Sequence, residues 1–135
     1  MVEIFRNEHL VAWRDAMGGL VRVARTSSEF LQLEDVEDSY QAMFRAIDRS
    51  SRTRFALLVD LRDSPRRSDP RFESVMRRIR PLLFRRFKRG GVLVRSSGGV
   101  RQLTQHTQED GISVMVSTSE SELLLFLSEG KLDRG

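Results

Sequence analysis

Hydrophobic positions change their period several times along this chain, and each change marks an element. Residues 8–14 (EHLVAWR) and 19–26 (GLVRVART) are short β-like runs. Between them Gly18 and Gly19 supply the freedom for positive φ that a hairpin turn needs. Over 33–50, Val36, Tyr40, Met43, Phe44 and Ile47 recur at helical spacing on one face. Asp35 is placed to cap that helix, acidic residues crowd its first turn, and Arg45 and Arg49 lie near its end, as the helix dipole favours. Residues 55–61 (FALLVDL) form an unbroken apolar run of strand length, the pattern of a strand buried on both faces.

The loop RDSPRRSDP follows, and its Asp69-Pro70 reads as the cap and first residue of a second helix. Phe72, Val75, Met76, Ile79, Leu82 and Leu83 repeat there at helical intervals, while Pro81 predicts a kink or break near Arg80. Gly90-Gly91 is expected to end the helical region, before a short strand at Val92-Leu93-Val94. Ser96–Gly99 reads as a loop into a short helix with Val100 and Leu103 inward, ended by Gly111. Residues 112–116 (ISVMV) are the last strand. Ser119 then caps a final helix, with Glu122 completing a capping box, Leu123 to Leu127 packing it and Gly130 stopping it.

The expected order is β-β-α-β-α-β-α-β-α. Strands alternating with helices from residue 55 onward require parallel crossovers, and the opening hairpin is antiparallel. The fold class is therefore α/β, a mixed and mostly parallel sheet with an N-terminal β-hairpin and about four helices. At 135 residues the chain is one domain, 1–135, with its core over about 5–130.

The absence of cysteine removes disulfides and thiolate metal sites, and His9 and His106 stand far apart without ligand-spaced partners. No metal and no cofactor are expected. No stretch approaches the ~20 apolar residues of a membrane span, and the opening MVEIFRNEHL lacks a secretory pattern, so a cytoplasmic location is expected.

Charge changes the picture more than composition does. Residues 61–101 hold 13 Lys/Arg against 3 Asp/Glu, net +10, between flanks of net −2 and −4. Of the 23 basic residues, 21 are arginine, which suits bidentate contact with carboxylate or phosphate.

The segment Phe55-Ala-Leu-Leu-Val-Asp60-Leu-Arg-Asp63, then Asp69-Pro70-Arg-Phe72-Glu73, Val92-Leu-Val94 with Gly98-Gly99, and the terminal Ser119–Leu127 helix together resemble the STAS domain, and within it the SpoIIAA-like (STAS/SEC14-like) branch. The resemblance covers roughly 5–130. It implies a non-catalytic regulatory module that binds another protein. Such antagonists carry a phosphorylated serine in an Asp-Ser-Ser-Gly run, which this chain lacks. Its nearest equivalents are Asp63-Ser64 and Ser68-Asp69.

Three segments carry candidate chemistry. The loop 62–69 leaves a strand and enters a helix N-terminus, where anions are favoured. Arg62, Arg66 and Arg67 there are candidate anion or partner contacts, and Ser64 and Ser68 candidate phosphorylation sites. Ser96–Gly99 reads as a turn and cap, short of a nucleotide loop. The basic helix adds Arg77, Arg78, Arg85 and Arg86 to the partner surface. An acidic protein is the first expected partner, with lipid or nucleic acid as alternatives and a homodimer open. The SEC14-like side of the resemblance implies, as an alternative, a carrier of a small apolar ligand such as a lipid, in which Phe72, Met76, Leu83, Phe84 and Phe87 would line a pocket rather than fill a core. Trp13 is expected in core or hairpin packing, His9 on the surface, and His106 as a lone helix residue. No catalytic residue is expected.

Overall fold

The computed structural model describes residues 1–129. A six-stranded mixed sheet runs in sequence order, β1 (Val2–Arg6), β2 (Leu10–Asp15), β3 (Leu20–Arg25), β4 (Ala56–Asp60), β5 (Gly90–Leu93) and β6 (Met115–Ser117). The first three are antiparallel and the last three join in parallel. Helices α1 (Leu33–Ile47), α2 (Pro70–Phe84), α3 (Ser97–Glu109) and α4 (Glu120–Glu129) complete the chain. The α/β class, the hairpin and the four helices are as the pattern predicts.

Alternation builds the layers. Leu57 and Val59 of β4 join Leu10, Ala12, Val21 and Val23 under α1, α2 and α3, whereas Ala56 and Leu58 face Leu123 and Leu127 of α4. Cover on both faces is why 55–61 carries no polar alternation.

Several boundaries differ from expectation. Strand β1 precedes the hairpin. It is a largely exposed edge with an Arg6–Glu3 ion pair, so its apolar signal is diluted. The hairpin turn takes one positive φ, at Gly19 (63°), while Asp15 accepts a hydrogen bond from the Gly18 N–H at 3.0 Å. Asp35 is not the cap of α1: Gln32 holds that place with no side-chain bond, and Asp35 sits inside the first turn.

Pro81 does not break α2. The helix is continuous to Phe84, because Pro81 is exposed near the last turn and the one carbonyl it leaves unpaired can meet water. Gly90 and Gly91 do not end that helix but open β5. A Cβ at Gly90 would lie 2.9 Å from both Phe84 and Val114, so the strand passes only as glycine. Helix α3 is longer than expected, since Ser97–Gly99 form its first turn and Ser96 caps it. The last strand is Met115–Ser117 rather than 112–116.

The α4 cap is half a capping box. Ser119 accepts from the Glu122 N–H at 3.2 Å, while the Glu122 carboxylate accepts from the Ser117 hydroxyl at 3.3 Å. Gly130 lies outside the described residues. Trp13 is half-buried on β2. His9 is not a surface residue: it is 8% exposed, with its ring 4.0 Å from that of Phe30. No described helix is long and apolar enough to cross a membrane.

Candidate functional site

Beyond the carboxyl ends of β4 and β5, the loop 61–69 and the facing sides of α2 and α3 line a half-open cavity of about 540 Å³. That is the position and size expected of a ligand pocket in an open α/β sheet. Caps set its rim. Asp69 accepts from the Phe72 N–H at 3.2 Å to start α2, and Ser96 accepts from the Gly99 N–H at 3.1 Å to start α3. The wall is apolar, with Val59, Met76, Leu83, Phe84, Val92 and Leu103 among its members.

The predicted loop residues separate by role. Arg62 turns away from the cavity. It donates to Asp60 at 2.8 Å and to Glu120 at 3.1 Å, in a network that Arg22 joins from β3. Burial pushes the Asp60 carboxyl up, but the Arg62 hydrogen bonds and the charges of Arg62 and Arg22 outweigh it and hold the carboxyl below its usual value. Arg67 lines the cavity but is engaged, donating to Asp69 at 2.7 Å and to the Phe30 carbonyl at 3.1 Å, with its guanidinium 4.8 Å from the Phe72 ring. The Arg67 hydrogen bond holds Asp69 below its usual pKa. Arg66, Ser64 and Ser68 also line the cavity.

Of the predicted apolar set, Phe72, Met76, Leu83 and Phe84 line it. Phe87 does not; it packs against the core with the Arg52 guanidinium 5.2 Å over its ring. Arg77, Arg78, Arg85 and Arg86 are exposed and stand outside the cavity. Arg78 approaches Glu37 at 3.9 Å, and Arg86 takes a positive φ of 69° just past α2.

The deeper polar residues include His106, expected only as a lone helix residue, and Arg80, whose burial the basic helix pattern does not signal. Arg80, on α2, pairs with Glu73 on the same helix and with Asp110 at the end of α3. His106 places Nδ1 3.4 Å from Glu73 and 3.9 Å from Glu109, where that nitrogen is buried without a hydrogen-bond partner. No hydroxyl among the described residues is hydrogen-bonded to His106, and no three described His, Asp or Glu side chains group to hold a metal ion. Arg25 and Tyr40 enter the same cavity from β3 and α1. Arg25 was findable: it shares the inward parity of Val21 and Val23 on β3. The arrangement can enclose an apolar group and present cations to it. The chain matches no family model, no curated protein and no solved structure.

Proposed function

We propose that this domain is a binding module that takes a small ligand with an apolar body into the cavity between α2 and α3. The observation that carries the reading is the cavity itself: about 540 Å³, walled by aliphatic and aromatic side chains and ringed by arginines. Clefts of that size with apolar walls are the usual seat of ligands. The reading is of binding rather than chemistry, because His106 engages no nucleophile among the described residues. Native mass spectrometry of the intact chain tests it. A bound mass that is lost on Met76→Trp, with the circular dichroism unchanged, is expected. An empty chain after incubation with apolar ligands refutes it.

A second reading has its own observation. The exposed Arg77, Arg85 and Arg86 have no ion-pair partner among the described residues, which favours an acidic partner docking on the end of α2. A STAS-like regulatory role would use such a surface. Titration with an acidic peptide should shift resonances of these residues, and Arg77→Glu/Arg85→Glu/Arg86→Glu should abolish the shifts. Equal, salt-sensitive binding of duplex DNA would instead indicate a nucleic-acid surface.

A further inference from the structure

Three arginines are buried among the described residues: Arg25, Arg52 and Arg80. Two have a carboxylate, Asp48 for Arg52 and both Glu73 and Asp110 for Arg80. Arg25 has none among the described residues, although it is 7% exposed. It donates to carbonyls only: Nη1 to His9 at 2.8 Å and Thr26 at 3.3 Å, Nη2 to Ser28 at 3.2 Å. The Phe30 ring lies 4.5 Å from its guanidinium carbon. A guanidinium has five N–H donors, so Nε and one hydrogen of Nη2 are left without a protein acceptor among the described residues; Nε is not sealed in the interior as His106 Nδ1 is, but keeps contact with solvent. A buried charge is costly unless it is paired. Burial accordingly pushes the Arg25 pKa down, with Tyr40 acting in the opposite sense.

Tyr40 makes the same point with a neutral donor. It is 3% exposed and lines the same cavity, and its hydroxyl has no hydrogen-bond partner among the described residues, though the oxygen itself keeps contact with solvent. Burial pushes its pKa up, against the nearby charges of Arg25 and Arg80, so it remains a hydroxyl donor. On the rim, Arg66 adds a further cation without an ion-pair partner among the described residues.

We propose that Arg25 and Tyr40 form an anion subsite inside the cavity, and that the ligand is a carboxylate carried on an apolar chain or ring. The carboxylate supplies the counter-charge Arg25 lacks and accepts from the Tyr40 hydroxyl, while the apolar body lies against Met76, Phe84 and Leu103. The proposal rests on the cavity being a ligand site.

The test compares decanoate with decanol, equal in chain and different in charge, by calorimetry on the full chain. The wild type should prefer decanoate by about 10- to 100-fold, the range of a charge-assisted hydrogen-bonded contact. Arg25→Gln should reduce that preference to a few-fold while decanol binding holds, and Arg25→Lys should recover part of it. If decanoate and decanol bind the wild type equally, the anion subsite is wrong and the cavity reading stands. If neither binds, both fall. Should Arg25→Gln fail to fold, Tyr40→Phe, which conserves the ring, decides: an unchanged preference there overturns the subsite.

Discussion

Replacing Arg80 with methionine tests the buried charge cluster on which the cavity wall depends. Arg80 is 5% exposed and bridges α2 to the end of α3 through Asp110. Burial works against its charge, but the hydrogen bonds to Glu73 and Asp110 outweigh it and raise its pKa. The Asp110 side chain is 2% exposed, so water cannot replace the lost guanidinium, whereas Glu73 at 22% is partly hydrated. Breaking a buried pair by removing one partner costs about 3–5 kcal/mol. The hydrated Glu73 argues for the lower half of that range, about 3–4 kcal/mol. For a domain of this size that is a fall in Tm of roughly 10–15 °C.

Urea and thermal unfolding at neutral pH measure it. Asp110→Leu in the Arg80→Met background removes the stranded carboxylate and should recover about 2 kcal/mol, since an apolar pair can replace a buried ion pair at little cost. A loss below about 1 kcal/mol for Arg80→Met, on the same scale as an exposed pair, would show that Arg80 contributes no more than a surface cation. So would a double variant no more stable than the single one.

Other perturbations probe separate parts of the fold. Asp60 is held below its usual pKa, so its contribution to stability is present above the unfolded value near 3.9 and is lost as pH falls through the folded value; Asp60→Asn should flatten the acid limb of urea midpoints measured between pH 6 and 3. Ser96→Ala removes the acceptor for the Gly99 N–H and should cost about 1 kcal/mol in chemical unfolding. Gly90→Ala drives a methyl to 2.9 Å from Phe84 and Val114, and a loss of about 1–3 kcal/mol is expected by the same measurement; a neutral effect would show that β5 can shift.

Much of the fold was legible because its periods are clean. The 55–61 run announces a doubly covered strand, and Val36, Tyr40, Met43 and Ile47 announce the inner face of α1. Where the sequence misleads, a local rule is overruled by tertiary contact. Pro81 predicts a break, yet its exposed place near the end of α2 makes the lost hydrogen bond cheap. Gly90-Gly91 looks like a terminator, yet the pair is small so that Phe84, Val114 and Leu123 can close on β5. His9 looks polar and peripheral, yet the hairpin and the Phe30 segment enclose it.

The site was legible in its walls and not in its charges, and the reason is physical. Apolar wall residues such as Phe72, Met76 and Leu83 carry the helical period that forms α2, so one pattern reports both the helix and the pocket. An arginine reports nothing about its partner. Arg62 and Arg67 looked free in a basic loop, but Asp60, Glu120 and Asp69 engage them. Arg80 stands in the same basic run as Arg77 and Arg78, but Glu73 and Asp110 hold it inside. Only Arg25 broke a pattern visible in one dimension, a cation at the inward parity of β3 after Val21 and Val23. A cation at a core position needs an anion or a reason to lack one. Among the described residues the fold supplies carbonyls and an aromatic face there but pairs no carboxylate with it, and it opens a cavity beside it. On the proposed reading, the buried charge that the described residues leave without a carboxylate is the feature that ties the sequence pattern to a ligand.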